Sequence, residues 1–267
     1  MRLLSFNPYR TLGIPGVSYL KPEQMLSQRD TVMAADAVLF PHSWQLNVLC
    51  YAWRCRVFPS PASYDLGYDK VEMTRALQAI APAHVPHTLI LPPTESAVQQ
   101  AIEALGLPLV AKEPRNSMGR GVALIDSVVE LRRWVARVDV LYVQEYLRCD
   151  ADLRVVWVGD RVLGAYWRRG GDGFRHNIAR GGEADFDAVP AHAIGLVGEI
   201  ARRLGIDHAG FDLMVVDGHP WLLEFNTLFG NEALQRQGIR VEPAIFDYLQ
   251  RTLPTQNFVA NEAVAGP

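Results

Sequence analysis

The chain has 267 residues and a mass of 29.8 kDa, with 26 Lys and Arg against 29 Asp and Glu and a formal charge of -3. Its 49% hydrophobic content fits a packed core and argues against long disorder. A slightly acidic balance argues against broad non-specific affinity for nucleic acid, leaving room for one local basic site. Cys50, Cys55 and Cys149 form neither a Cys-x-x-Cys pair nor a zinc spacing, and so read as reduced, intracellular thiols. The first residues lack the apolar stretch of a signal peptide, and no run approaches the roughly 20 apolar residues of a membrane span. A cytoplasmic protein with no membrane association is expected.

In chain order, Leu3 to Phe6 reads as a short strand, followed by a loop through Pro8, Gly13 and Gly16. Asp36 to Pro41 reads as an apolar strand, Gln45 to Trp53 as a helix and Cys55 to Pro59 as a strand, which suggests a small parallel α/β unit. Pro59, Pro61 and Gly67 mark its exit. The apolar positions Val71, Met73, Ala76, Leu77 and Ile80 recur at helical spacing over Asp69 to Ile80. Thr88 to Leu91 is strand-like, and Thr94 is placed to cap a helix running to Ala104. Leu109 to Lys112 and Val122 to Ile125 read as paired strands, Ser127 to Val138 as a helix, and Leu141 to Tyr146 as a strand. Gly159-Asp160 suits a hairpin turn between Leu153–Val158 and Arg161–Trp167, and Asp217-Gly218 suits another between Ala209–Val216 and His219–Phe225. Ala191 to Leu204 is a strong amphipathic helix, and Glu242 to Arg251 a last one before a loosely held tail.

Four constellations can carry chemistry. Lys112 ends an apolar strand beside Asn116-Ser117-Met118-Gly119-Arg120-Gly121, whose glycines let backbone amides approach an oxyanion. This is not a P-loop, and an exposed hairpin turn with solubilising charges explains it equally well. Asp212 faces Glu224 and Asn226 across the Asp217-Gly218 turn, and residues two apart on a strand share a face. Two carboxylates and an amide oxygen suit Mg²⁺; the alternatives are a water-facing strand or pairing with arginine. Arg168 to Gly182 is a basic, glycine-rich run with Arg154 on the preceding strand, suited to phosphate or carboxylate, to nucleic acid, or to solvent. Tyr142 to Leu147, followed by Asp150 and Asp152, can present backbone groups to a purine and a carboxylate to ribose, or be plain core strand and turn.

In combination, over about residues 59 to 250, the order of these pieces resembles the ATP-grasp superfamily and, within it, the RimK-like branch of carboxylate–amine ligases. The resemblance implies an α+β fold in which two α+β subdomains clamp ATP behind a short α/β pre-grasp unit. The expected boundaries are 1–62 for the pre-grasp domain, 63–141 and 142–253 for the two grasp subdomains, and 254–267 for the tail. It implies ATP phosphate binding by Lys70 and Lys112, a mobile phosphate loop at Met118, Gly119, Arg120 and Gly121, and an adenine hinge at Gln144, Glu145, Tyr146 and Leu147. Asp152 is then the ribose contact, and Asp212, Glu224 and Asn226 the Mg²⁺ ligands, with Mn²⁺ as a substitute ion. Arg154, Arg175, Asn177 and Arg180 line the substrate side, and Arg168, Arg154 and Lys112 carry the chemistry.

The implied reaction is ATP-dependent amide formation through an acyl phosphate, releasing ADP and phosphate, with glutamate or another amino acid added to a small molecule or peptide. A ligase joining two amino acids, a non-catalytic ATP-binding interaction protein, and a nucleic-acid-modifying protein using the basic loop are the alternatives. Family members often form dimers or tetramers. Three features depart from the family pattern: a short front region, Tyr166-Trp167-Arg168-Arg169 in place of a more acidic approach to the paired arginines, and bulky residues in Asn226-Thr227-Leu228-Phe229-Gly230.

Overall fold

A computed structural model describes residues 1–115, 121–170 and 183–253. The chain divides into two compact units, Met1–Phe58 with the segment from Glu242 onward, and Pro59–Val241.

In the first unit, β1 (Leu3–Ser5), β2 (Val17–Tyr19), β3 (Ala37–Leu39) and β4 (Val57–Phe58) form a parallel sheet in the order β2-β1-β3-β4. β1 and β3 are buried at every residue, as parallel strands covered on both faces must be. Their connections include the short α-helices α1 (Pro8–Thr11), α2 (Arg29–Met33) and α3 (Ser43–Asn47), the last continued by a π-helical turn over Val48–Ala52. α1 lies in the stretch the sequence reads as loop, and β2 and α2 fall where it marks no element, because segments of three to five residues carry too little periodicity to stand out.

In the second unit, α4 (Pro61–Tyr68) corrects the reading of Pro59, Pro61 and Gly67 as a simple exit. Ser60 caps this helix by accepting from Ser63 N at 3.1 Å, and Pro61 fills the first turn, where its missing N–H costs nothing. α5 (Lys70–Ile80) follows, capped by Asp69, whose carboxylate accepts from Val71 N at 2.8 Å. β5 (Thr88–Leu91), α6 (Glu95–Leu105), β6 (Leu109–Lys112), β7 (Val122–Ile125), α7 (Val128–Val135) and β8 (Leu141–Glu145) build an antiparallel sheet in the order β5-β8-β6-β7 with two helices on one face. Ala97, Val98 and Ala101 of α6 and Leu131 and Trp134 of α7 pack there against Leu109, Ala111, Leu141 and Val143.

The larger sheet is antiparallel: β9 (Ala151–Val158), β10 (Arg161–Arg169), β11 (Glu183–Asp185), β12 (His208–Val216) and β13 (His219–Asn226), in the order β11-β10-β9-β12-β13. Asp217 and Gly218, at φ 51 and 77, make the two-residue turn that joins β12 to β13. Leu153, Val155, Trp157, Phe211, Leu213, Leu222 and Phe225 form one face of this sheet, covered by α5 and by α8 (Ala191–Leu204). The short α9 (Glu232–Arg236) and then α10 (Val241–Thr252) complete the chain. α10 belongs to the first unit, where Tyr248 packs on Phe58 with ring centroids 6.0 Å apart and its hydroxyl accepts from Arg56 at 3.2 Å. Among the described residues no helix is long and apolar enough to cross a membrane.

Candidate active site

The face of the large sheet opposite its core carries the charged residues singled out in the sequence. Arg154 on β9, Asp212 on β12 and Glu224 on β13 stand side by side in register, and Asn226 follows on the same face two residues on. A bulge sets this arrangement. Asp212 opposes Glu224 but Leu213 opposes Leu222, so Leu223 is the extra residue. Without it Leu222 and Glu224 would share a face; with it Leu222 enters the core and Glu224 faces the site.

Asp212 is buried between two guanidinium groups. Arg154 donates from Nε to Oδ1 at 2.5 Å and from Nη2 to Oδ2 at 3.0 Å. Arg168 Nη2 stands 2.9 Å from the same Oδ1. Arg168 also forks onto Asp152, Nε to Oδ1 at 2.6 Å and Nη2 to Oδ2 at 2.7 Å. The result is an alternating chain, Asp152–Arg168–Asp212–Arg154, in which each buried charge has an opposite neighbour, as burial requires. Burial alone would raise the Asp212 carboxyl, but Arg154 and Arg168 reverse that and hold it below the usual carboxylate range. At Asp152 burial prevails and pushes the carboxyl up. Gly210 makes the room: a Cβ there would lie 2.7 Å from Arg154 Nη1 and 3.1 Å from Phe229 Cβ.

Lys70 and Lys112 approach from the other elements. Lys70 opens α5, its N–H donating to Pro114 O at 3.0 Å, and its Nζ lies 3.6 Å from Glu224 Oε2. Lys112 ends β6 with its Nζ donating to Gln144 Oε1 at 2.7 Å, and Gln144 Nε2 donates in turn to Thr88 Oγ1 at 2.7 Å. Burial pulls the Lys112 ammonium down to about 8; Glu224 and Asp212 oppose that shift and Lys70 adds to it. The Tyr142 ring centroid is 5.8 Å from Nζ, and its hydroxyl shares a 2.8 Å hydrogen bond with Thr74. Four cationic groups (Lys70, Lys112, Arg154, Arg168) against three carboxylates (Asp152, Asp212, Glu224) leave one positive charge in excess, suited to an anionic ligand.

The donor chemistry at Glu224 and Asn226 fits Mg²⁺: hard oxygens on one strand face, linked by a 3.3 Å hydrogen bond from Asn226 Nδ2 to Glu224 Oε1. Asp212, which stands opposite Glu224, would complete such an oxygen set. Its pairing with arginine, one of the alternatives read from the sequence, is what the structure shows. Among the described residues no group of three or more His, Cys, Asp or Glu is disposed to hold a metal.

Glu145, at the end of β8, is tied to His87, donating from its N–H at 2.9 Å and accepting on Oε1 at 2.6 Å; Tyr146 and Leu147 follow, half-buried. Arg168 places one hydrogen bond on each Asp152 oxygen, which leaves each a further lone pair able to accept from a ribose hydroxyl. Gly121, at φ 67, closes the β6–β7 connection by accepting from Glu113 N at 2.7 Å. Met118, Gly119, Arg120, Arg175, Asn177 and Arg180 lie outside the described residues. Sequence reasoning missed Thr74 and Thr88 and gave Tyr142 no role of its own. The alternation in Leu141-Tyr142-Val143-Gln144 was the available signal, since it puts Tyr142 and Gln144 on one face with Lys112.

The RimK-like ATP-grasp domain matches residues 68–249. A ribosomal protein bS6–L-glutamate ligase from Escherichia coli is 30% identical over 161 residues, which is 57% of this chain and 53% of that protein. The chain therefore matches about half the length of these curated relatives. Among solved structures, a RimK domain ATP-grasp protein from Sphaerobacter thermophilus superposes with a TM-score of 0.71 at 19% identity, covering 93% of this chain and 99% of that one. A D-alanine–D-alanine ligase from Bacillus anthracis gives a TM-score of 0.71 at 15% identity, covering 94% and 97%.

Proposed function

Because the chain belongs to the RimK-like ATP-grasp family, we propose that it is an ATP-dependent ligase joining a carboxylate to an amine through an acyl phosphate, with release of ADP and phosphate. The observation that carries this reading is the convergence of Lys70 and Lys112 on the sheet face holding Asp212, Glu224 and Asn226, with Lys70 Nζ 3.6 Å from Glu224. Lysine ammonium groups clustered beside hard oxygen donors suit a triphosphate and its metal.

In this reading Lys70 and Lys112 neutralise phosphate oxygens, and the loop at Met118, Gly119, Arg120 and Gly121 covers them. Gln144 to Leu147 and Asp152 hold the nucleoside. Glu224 and Asn226, with Asp212, hold Mg²⁺, which supplies charge neutralisation for phosphoryl transfer. Arg168 and Arg154 stabilise negative charge on the acyl group as the amine attacks, and Arg175, Asn177 and Arg180 complete the substrate side. Arg168 is suited to this because its planar fork is already oriented by Asp152.

The amine is an amino acid, and glutamate is the first to try, since the Escherichia coli relative is named as an L-glutamate ligase. The decisive test offers ATP, Mg²⁺ and a pool of carboxylates with hydroxylamine in place of the amine. Hydroxamate formation coupled to ADP and phosphate supports the reading; AMP and pyrophosphate as products overturn it.

A further inference from the structure

A cavity of roughly 260 Å³ opens directly beside the Lys70–Glu224 pair, and much of the rest of its lining is aromatic or aliphatic. Tyr64 and Tyr68 of α4, Met73, Phe225 and Leu228 line it, together with the charged and polar Arg115, Glu224 and Asn226. Tyr68 is 65% exposed and Leu228 50%, so two of the chain's exposed large apolar side chains border one concavity. Single exposed apolar residues need no explanation, but a pair flanking a cavity beside a charged site is the usual form of a small-molecule subsite.

The cavity is built, not incidental. Gly67 lets α4 lie against the segment after β13: a Cβ there would fall 2.3 Å from Thr227 Oγ1, and that hydroxyl itself donates to Ser63 O. Arg115 braces the rim, its Nε on Asp69 Oδ2 at 3.0 Å and its guanidinium carbon 5.9 Å from the Tyr68 ring centroid. Arg115 is thereby paired with Asp69, and Lys70, paired with Glu224, is the other cation lining the cavity.

We propose that this cavity binds the carboxylate substrate, and that it selects a carboxylate carried on one aliphatic or aromatic amino-acid residue. The apolar side chain contacts Tyr68 and Leu228, and the carboxylate points towards Lys70, where phosphoryl transfer takes place. A volume of roughly 260 Å³ suits one residue and not a long peptide. The inference rests on the ligase reading for its chemistry, but the binding it describes can be measured separately.

The experiment uses the full chain with N-acetyl-leucine, N-acetyl-phenylalanine, N-acetyl-glycine and N-acetyl-glutamate as probes. Binding is followed by calorimetry, and hydroxamate formation is followed with ATP, Mg²⁺ and hydroxylamine. The wild type should prefer the leucine and phenylalanine probes over the glycine probe by about tenfold or more, the discrimination expected of an apolar pocket. In Tyr68→Ala and in Leu228→Asn that preference should collapse towards unity, whereas Tyr68→Phe should retain it. Because Tyr68 and Leu228 are exposed, both variants should fold, which circular dichroism checks. Hydroxamate formation that favours the glutamate probe, or a preference unchanged in Tyr68→Ala, overturns the pocket while leaving the ligase reading intact. Binding that is selective and sensitive to Tyr68, with no hydroxamate from any probe, upholds the pocket and overturns the ligase reading. No binding and no hydroxamate with any probe overturns the pocket.

Discussion

Replacing Lys112 with Met tests the electrostatics of the site through folding as well as through activity. Lys112 is 6% exposed, and its ammonium is drawn down from 10.5 to about 8 in the folded protein. An unfolded lysine near 10.5 binds its proton more tightly than the folded one, so between about pH 8 and pH 10.5 the unfolded state holds more protons and stability rises with pH. Below about pH 8 both states are protonated and the folded one carries the net cost of holding the charge there, about 3 kcal/mol. Lys112→Met removes that cost but strands Gln144 Oε1, which accepts from Nζ at 2.7 Å, at a penalty of about 1–3 kcal/mol. At pH 7 the variant should thus be between as stable as the wild type and about 2 kcal/mol more so. Near pH 10 it should be less stable, the difference having swung by about 2–3 kcal/mol. Urea denaturation of both proteins from pH 7 to pH 10 measures this swing, with a pH-independent stability difference refuting the buried-ammonium account. The same titration predicts that wild-type ATP affinity falls as pH rises through about 8, while the variant binds ATP weakly throughout.

Glu224→Gln should lower turnover by 100-fold or more at limiting Mg²⁺, in a side chain only 25% exposed, yet shift the urea midpoint little; wild-type turnover at limiting Mg²⁺ would remove the assigned role. Asp212→Asn leaves Arg154 and Arg168 buried with too little negative charge and should cost about 3–5 kcal/mol of stability, read by thermal or urea unfolding. Gly67→Ala should cost about 1–3 kcal/mol, because its Cβ meets Thr227 Oγ1 at 2.3 Å; an unchanged midpoint would show that α4 is not fixed at this contact.

Much of the fold could be read locally. The helix over Ala191 to Leu204 lies where its amphipathic pattern puts it, and Asp217-Gly218 makes the expected turn, because periodicity and positive-φ preference act within a few residues. Thr94 caps α6 by accepting from Ala97 N at 3.2 Å, as its position suggests. α4 escaped notice because Pro61 reads as a breaker unless the preceding Ser60 is recognised as its cap. The bulge at Leu223 escaped because Leu222-Leu223-Glu224 carries no mark of which leucine is the extra one. Only the requirement that Leu222 face the core while Glu224 stands opposite Asp212 selects it.

Strand alternation and the Asp217-Gly218 turn were enough to bring two carboxylates and an asparagine into one expectation, and the two lysines joined them only through the family resemblance. The partners those groups take depended on the folded molecule. Asp212 meets Arg154 and Arg168 from strands more than forty positions away, and Tyr68 comes to border the same cavity as Leu228. Pairings of that kind are chosen by which charges burial forces together and by how closely backbones approach at Gly210 and Gly67, neither of which is encoded at any single stretch of sequence.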